Sequence, residues 1–392
     1  MKYSTNKSFC EELDQKDSLK SYKDLFFIPK NKQGKELIYF CGNSLGLQPK
    51  KTKEYIIQEI DDWKTLAVEG HFHAKNPWLP YHEMLSTSYS KLIGAKSSEV
   101  IAMNTLTVNL HLMMVSFYKP EKNKFKILIE KDAFPSDIYA VESQIKFHGF
   151  KADEALIKLE PRKGEYYIRQ EDIEKIIEEN SNEIALILLG GVNYYTGQLF
   201  DMQKITKVGH EHGIVVGFDL AHAIGNVKLE LNKWNVDFAV WCSYKYLNSG
   251  PGAIAGAFVN ERFHNVELPR FTGWWGHNKK ERFLMDDKFK PIKSAEGWQL
   301  SNPPIFSLAP VFASLSIFDK VGMDDLIKKS KALTNYLEFL IKSIDNKNIE
   351  IIDVPMRGCQ LSVRVKNYDK KLFNNLTENG IVADWREPDV IR

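Results

Sequence analysis

Two ionisable residues, Asp219 and Lys245, follow two successive apolar runs of the sequence. The run 214–218 is rich in β-branched residues and leads directly to Asp219, and the run 237–243 leads to Tyr244 and Lys245. Such runs predict buried parallel strands. Because open α/β sheets place their ligand chemistry beyond the carboxyl ends of the strands, we expect Asp219 and Lys245 to share one crevice.

An amine and a carboxylate at this edge of a sheet are the groups that pyridoxal phosphate requires. Burial disfavours the charged form of a lysine, and a free amine condenses with the aldehyde of this cofactor. The carboxylate of Asp219 would hold a proton on the pyridine nitrogen. A lone lysine after a strand is usually a solvated loop residue, and a lone aspartate usually caps a helix. The presence of His222, Tyr244 and the glycine-rich turn 248–252 in the same stretch favours the cofactor site.

Three motifs of the sequence resemble those of kynureninase, a pyridoxal-phosphate enzyme of the aspartate-aminotransferase fold, fold type I. They are GFDLAHA at 217–223, WCSYKYLN at 241–248 and GWWGH at 273–277. The likeness begins at NSLGL, residues 43–47, and reaches the last residues, so that it covers nearly the whole chain. The resemblance implies a PLP-dependent transferase-like α/β fold with a large domain on a mostly parallel, seven-stranded sheet.

The alternation of strand-like and helical stretches supports the same fold class. One long helical pattern spans 307–344, and the strand-like and helical stretches after it predict a small α+β domain at the C-terminal end. We expect an N-terminal segment that packs with the small domain, a large cofactor-binding domain and the small domain itself, at 1–45, 46–305 and 306–392.

The resemblance implies catalytic roles for Lys245, Tyr244 and Asp219, with Tyr244 as the proton relay. It implies a wider set of cofactor-binding residues: Leu106, Thr107, Phe134, Pro135, Ser136, Asp137, Asp219, His222, Tyr244, Lys245, Trp274 and Asn302. In this set Leu106 and Thr107 would hold the phosphate at the start of a helix, and Phe134 would stack on the pyridine ring. The residue pattern alone explains Thr107 equally well by helix capping and Phe134 by core packing.

Substrate-binding roles are also implied by the resemblance, for His71, Ser301, Asn302 and Arg392. His71 would lie beside the aromatic ring of the substrate, and its combination with Ser301 and Asn302 resembles enzymes that favour the 3-hydroxylated substrate. Arg392 would bind the α-carboxylate through a bidentate contact. In the family a second subunit completes the site, so a homodimer with shared active sites is expected.

Two departures from the family pattern concern Gly190 and the end of the chain. Many relatives have a serine that contacts the cofactor where this sequence has Gly190, which offers no hydroxyl. A further strand and helix follow the family's counterpart of Arg392, which leaves open whether the sequence is a fragment.

The function implied by the resemblance is the hydrolysis of L-kynurenine or 3-hydroxy-L-kynurenine to an anthranilate and L-alanine. This reaction belongs to tryptophan degradation and to the synthesis of NAD precursors. The alternatives are an aminotransferase, a cysteine desulfurase-like lyase and a catalytically silent homologue. A desulfurase needs a nucleophilic cysteine on a mobile loop, whereas Cys242 and Cys359 lie in strand-like stretches. An aminotransferase would release a keto acid instead of alanine.

Composition restricts the partners and the compartment of this 392-residue chain. The formal net charge of +2 argues against a nucleic-acid surface built on bulk charge. The four cysteines are scattered without the spacing of zinc ligands, which fits a reducing compartment and a protein without a metal. The residues from Met1 to Thr5 lack a leader-like apolar core, and no apolar run approaches the ~18 residues of a membrane span. We therefore expect a cytoplasmic protein without a membrane partner.

Overall fold

The computed structural model describes residues 3–367 and 370–392, which leaves parts of the predicted N-terminal and C-terminal domains, residues 1–2 and 368–369, outside the described residues. Its strands form two sheets and one separate strand pair. In chain order they are β1 (Ile38–Tyr39), β2 (Val100–Ala102), β3 (Lys126–Glu130), β4 (Leu156–Leu159), β5 (Ile184–Gly190), β6 (Val215–Asp219), β7 (Phe238–Trp241), β8 (Gly256–Val259), β9 (Ile349–Ile351), β10 (Val363–Val365), β11 (Ile381–Val382), β12 (Trp385–Arg386) and β13 (Val390–Ile391).

Helices alternate with these strands over most of the chain. In chain order they are α1 (Lys7–Lys16), α2 (Thr52–Leu66), α3 (Gly70–His73), α4 (Tyr81–Ile93), α5 (Leu106–Phe117), α6 (Pro135–Phe147), α7 (Ala152–Ala155), α8 (Gln170–Glu179), α9 (Met202–Glu211), α10 (Ile305–Val321), α11 (Met323–Lys342) and α12 (Lys371–Glu378). Short 3₁₀ turns lie in the connections, for example at Trp274–Gly276 and Ala295–Trp298.

The large sheet has seven strands in the order β2-β8-β7-β6-β5-β3-β4 within the described residues. Strands β4, β3, β5, β6 and β7 run parallel, and β8 pairs antiparallel with both β7 and β2. Helices cover both faces of the parallel strands, which explains their almost continuous apolar sequences. The predicted fold class, with its mostly parallel seven-stranded sheet, is confirmed.

Three neighbouring parallel strands end in residues that face one another across the carboxyl edge of the sheet. Strand β3 ends at Glu130, β5 at Gly190 and β6 at Asp219. Gly190 is the register partner of Asp219, and Asp219 is the partner of Val240 on β7. This edge therefore brings together residues that are far apart in the sequence.

Close packing within the large sheet depends on two glycines that lie opposite aromatic rings. A Cβ atom at Gly217 would lie 2.2 Å from Cζ of Phe238, and one at Gly256 would lie 2.4 Å from ring atoms of Trp241. Phe238 and Trp241 are both fully buried. Because protein interiors are packed at crystal-like density, the sheet can hold these rings only where the neighbouring strand has no side chain.

The predicted single helical pattern at 307–344 is wrong in one respect, because the structure divides it into α10 and α11. The break lies at Gly322, which has a left-handed φ of 78°, and the two helices meet at 84°. Glycine adopts this conformation without a steric penalty and thereby ends α10. No single described helix has the length and hydropathy of a membrane span; α10 and α11 reach that threshold only as a bent pair.

The C-terminal part of the chain forms a four-stranded antiparallel sheet in the order β12-β13-β10-β9. Strand β1, near the start of the chain, pairs in parallel with β11, with Ile38 opposite Ile381. The strand-like stretch 359–365 of the sequence forms a strand only from Val363 onward. The division of the chain at residues 45 and 305 stays a prediction.

Candidate active site

One cavity opens at the carboxyl edge of the large sheet, between the ends of β3, β5 and β6 and the first turns of α5 and α6. Most of the predicted cofactor-binding residues line it: Leu106, Thr107, Phe134, Ser136, Asp137, Asp219, His222, Tyr244 and Lys245. The strand ends and helix starts that carry these residues lie far apart in the sequence, so it is the sheet topology that collects them.

Lys245 lies in this cavity beside His222 and Phe134. Its Nζ atom is 3.0 Å from Nε2 of His222 and 5.6 Å from the centroid of the Phe134 ring. Burial, together with the positive charges of Lys245 and of Arg392 and Arg386, holds the pKa of His222 well below its usual range. His222 is therefore neutral, and its Nε2 atom can accept a hydrogen bond from the lysine.

The loop at residues 43–47, which contains Gly46, packs against the backbone at Tyr244 and Lys245. The N–H of Gly46 donates to the carbonyl of Tyr244 at 2.8 Å, and the N–H of Asn248 donates to the carbonyl of Lys245 at 2.9 Å. A Cβ atom at Gly46 would lie 2.4 Å from that Lys245 carbonyl oxygen and 2.2 Å from Oδ1 of Asn248. The 43–47 motif thus fixes the backbone that carries the lysine, and only glycine fits at this contact.

Asp219 and Asp137 form a buried carboxyl pair at the floor of the cavity. Burial raises the pKa of both groups, and the neighbouring charge of Asp219 raises that of Asp137 further. Asp219 also accepts a hydrogen bond from the N–H of Ala221 at 2.7 Å and lies near Lys245, which favours its ionised form. Asp137 therefore holds the proton and donates to Asp219, which stays an anion.

Two further residues of the cavity wall, Glu130 and Tyr194, were missed by the sequence analysis. Glu130 ends β3 in the way that Asp219 ends β6, so the same strand-end pattern could have found it. The Tyr194 ring contacts the Phe134 ring edge-to-face, with centroids 5.3 Å apart. The carbonyl oxygen of Tyr194 accepts a hydrogen bond from Nη1 of Arg392 at 2.6 Å.

Six of the predicted site residues lie outside the cavity lining in this single copy of the chain: Pro135, His71, Trp274, Ser301, Asn302 and Arg392. Pro135 begins α6, and His71 packs edge-to-face against Trp78 at 5.4 Å. Ser301 and Asn302 are exposed. Their proposed contacts with cofactor or substrate stay predictions.

The side chains of Trp274 and Arg392 form hydrogen bonds within the chain. Trp274 donates from Nε1 to the carbonyl of Arg282 at 3.0 Å and keeps much of its ring exposed. Arg392 is buried and paired with Asp384, and it contacts the cavity wall through the carbonyl of Tyr194.

The donor set of the cavity fits pyridoxal phosphate. Lys245 offers an amine, Asp219 an anion for the ring nitrogen, and Phe134, 42% exposed, an open aromatic face. Leu106 and Thr107 begin α5, whose first-turn N–H groups suit a phosphate. Within the described residues, Oδ1 of Asp137 and Nδ1 of His222 are buried without a hydrogen-bond partner, as expected for groups whose partner is a ligand.

Comparison with known proteins agrees with this chemistry. The family model for class-V aminotransferases matches residues 38–383. A kynureninase of Flavobacterium psychrophilum is 54% identical over 391 residues, which are 98% of this chain and 92% of that protein. The chain belongs to the kynureninase family. Kynureninases of Myxococcus xanthus and Nematostella vectensis are 53% and 47% identical, over 100% and 99% of this chain and 92% and 89% of theirs. The predicted family resemblance is confirmed.

Solved structures show that this member of the kynureninase family has the expected fold. A cysteine desulfurase from Thermococcus onnurineus NA1 superposes with a TM-score of 0.72 at 16% identity, covering 98% of this chain and 88% of that one. A variant of the lyase C-DES with glycine linked to its PLP cofactor gives a TM-score of 0.75 at 14% identity, covering 91% of both chains. At such identities the likeness concerns the fold alone.

Proposed function

We propose that this chain hydrolyses the Cβ–Cγ bond of L-kynurenine or 3-hydroxy-L-kynurenine to give an anthranilate and L-alanine. The reaction belongs to the degradation of tryptophan. The observation that carries the proposal is the grouping of Lys245, neutral His222 and anionic Asp219 in one cavity of a chain about half identical to kynureninases.

Pyridoxal phosphate bound in this cavity supplies an electron sink that makes the Cα proton of the substrate acidic. Asp219, which would face the ring nitrogen, keeps its negative charge because Asp137 and the backbone N–H of Ala221 both donate hydrogen bonds to it. Phe134 covers one face of the site and excludes water from it, with Tyr194 packed against its edge.

Lys245 is the base that removes the Cα proton, at its Nζ atom. His222 Nε2, 3.0 Å away, orients that amine and, because it is neutral, adds no positive charge beside it. Burial raises the pKa of Tyr244, so that its phenol keeps a proton at neutral pH. Tyr244 then donates this proton to the alanine fragment as the Cβ–Cγ bond breaks after water has added to the γ-carbonyl.

The substrate side of the site is assigned to Arg392 for the α-carboxylate and to His71, Ser301 and Asn302 for the ring. In one copy of the chain His71, Ser301, Asn302 and Trp274 lie away from the cavity lining. A homodimer in which each copy covers the cavity of the other accounts for this separation. It also accounts for the exposed apolar residues after Trp274, of which Met285 is 76% exposed. In this proposal His71, Ser301 and Asn302 set the preference between L-kynurenine and 3-hydroxy-L-kynurenine.

We also assign the chain to the cytoplasm. All four cysteines lie in the described part of the chain as free thiols, which fits a reducing compartment.

The desulfurase alternative is not favoured. Burial raises the pKa of both Cys242 and Cys359 to about 11, which keeps their thiols protonated, whereas a desulfurase requires a reactive thiolate. The desulfurase structure shares the fold of this chain, but its sequence identity of 16% is too low to indicate the same reaction.

A product assay tests the proposed function. The purified protein with pyridoxal phosphate is incubated with each of the two kynurenines, and the fluorescent anthranilate and alanine are measured together. Equal amounts of both products are expected, and Lys245→Ala abolishes them, whereas the exposed Lys228→Ala does not. A keto acid in place of alanine would show an aminotransferase, and no product at all would show a silent homologue.

A further inference from the structure

Glu130 is a buried acid of the cavity wall to which the proposed reaction gives no role. It ends β3, is only 4% exposed, and lines the same cavity as Asp219 and Lys245. Its Oε1 atom has no hydrogen-bond partner within residues 3–367 and 370–392. A buried carboxyl oxygen without a partner at the wall of a ligand cavity is costly unless a ligand completes it.

Gly190 and Asn193 are neighbours of the Glu130 carboxyl group. The backbone of Gly190 and the side chain of Asn193 both lower its pKa. A Cβ atom at Gly190 would lie 3.5 Å from Oε2 and 3.6 Å from Oε1 of Glu130. A Cβ atom at position 190 would thus be in van der Waals contact with the carboxyl group, and the glycine leaves this space empty.

Titratable groups of several elements face Glu130. They are the anionic Asp219 on β6, the protonated Asp137 on α6 and Asp132, two residues after β3. Lys245 lines the same cavity, with neutral His222 beside it. Burial and the charge of Asp219 raise the pKa of Glu130 to about 8, against the contacts from Gly190 and Asn193. At pH 7 Glu130 is therefore mainly neutral and can donate a hydrogen bond as well as accept one.

We propose that Glu130 is a further cofactor-positioning residue, whose unpartnered carboxyl oxygen would hydrogen-bond pyridoxal phosphate in the cavity that Asp219 and Lys245 also line. Ionised Glu130 would place a second negative charge beside Asp219, in a cavity that must also accept an anionic phosphate. The inference rests on the cofactor of the proposed function and is independent of the kynurenine reaction.

The test measures the dissociation constant of pyridoxal phosphate, without substrate, between pH 6.5 and pH 9.5. It uses the wild-type protein and the variants Glu130→Gln, Glu130→Ala and Glu160→Gln, each freed of cofactor. Glu160 is the matched control, because it follows the neighbouring strand β4 but is exposed and paired with Lys131 at 2.9 Å.

At pH 6.5 we expect Glu130→Gln to bind within about twofold of wild type and Glu130→Ala about tenfold more weakly. At pH 9.5 we expect Glu130→Gln to bind about tenfold more tightly than wild type, because glutamine cannot ionise. Glu160→Gln follows wild type at every pH.

A ratio of wild-type to Glu130→Gln dissociation constants that stays constant over this pH range overturns the inference. Unchanged binding by Glu130→Ala overturns it as well. The glutamine variant keeps the size of the side chain, so that loss of folding does not confuse the pH comparison. If the wild-type protein takes up no pyridoxal phosphate, the proposed function fails. If uptake is normal but the ratio of the two dissociation constants does not change with pH, only the inference about Glu130 is refuted.

Discussion

The Nζ atom of Lys245 and the Nε2 atom of His222 lie 3.0 Å apart, and burial keeps the imidazole neutral. The neutral imidazole can therefore accept a hydrogen bond from the reactive amine of the site through Nε2. Loss of the imidazole would leave the amine free to turn away from the substrate Cα.

The first prediction concerns this pair. His222→Ala lowers kcat about 10- to 100-fold and changes KM much less, because the amine is no longer oriented while the substrate contacts remain. Steady-state kinetics with both kynurenines provide the check, with His212→Ala, at the end of α9, as the control. A change in KM alone would show that His222 contacts the substrate.

The second prediction separates the two members of the buried carboxyl pair. Asp219→Asn lowers kcat by about 10²-fold or more, since the ring nitrogen loses its anion. Asp137→Asn changes kcat by less than about fivefold, because the amide still donates to Asp219, whereas Asp137→Ala has a larger effect. If the two asparagine variants were equally impaired, the assignment of the proton to Asp137 would be wrong.

The third prediction is a pH dependence of stability. Because burial raises the pKa of Glu130 from 4.5 to about 8, the folded protein holds a proton that the unfolded chain releases. The free energy of unfolding contributed by Glu130 is therefore complete below pH 4.5 and declines as the pH rises towards 8. The free energy of unfolding of Glu130→Gln lacks this decline. Between pH 4.5 and pH 7 it should therefore rise by about 3 kcal/mol relative to that of wild type. Urea unfolding of the cofactor-free proteins at both pH values measures the difference, and parallel curves would refute it.

The fourth prediction concerns the loop at residues 43–47. Gly46→Ala places a methyl group against the Lys245 carbonyl and Asn248, and we expect a loss of about 1–3 kcal/mol in stability together with a lower kcat. Gly42→Ala is the control in the same segment, because a Cβ atom there meets nothing within 4 Å. Thermal unfolding and product formation are measured side by side, and equal behaviour of the two variants would exclude a supporting role for Gly46.

The fifth prediction tests the shared active sites of the proposed homodimer. Lys245→Ala and Asn302→Ala proteins are each inactive alone, and subunit exchange between them restores about a quarter of wild-type activity if Asn302 serves the partner's cavity. Exchange between Lys245→Ala and Asp219→Asn proteins restores none, since both residues line the same cavity. Absence of recovery in the first mixture, with exchange verified by mass, would place Asn302 in its own subunit's site.

Local patterns in the sequence were sufficient for the centre of the site. Asp219 and Lys245 each follow an apolar run, and the run alone predicts a strand end at the carboxyl edge of the sheet. Glu130 shows the same pattern, which places it at this edge, but the pattern does not show that it shares a cavity with Asp219, because that depends on β3 lying next to β5. The order of strands is a property of the whole fold that no single run of residues contains.

Two other differences between sequence and structure have similar causes. Helical periodicity continues through Gly322, so that only the backbone conformation of this residue reveals the break between α10 and α11. His71 and Asn302 do not line the cavity in one copy of the chain, and a pattern within one chain cannot give the position of a second copy. Family resemblance suggested these residues, and residue chemistry alone did not.

The pairing of β1 with β11 has a consequence for the order of events during synthesis. Strand β1 lies shortly before the loop at residues 43–47, yet its partner at Ile381 is made almost a whole chain later. A nascent chain on the ribosome can complete the large sheet while β1 still lacks its partner β11. We therefore expect β1 to reach its final position only after β11 has been synthesised.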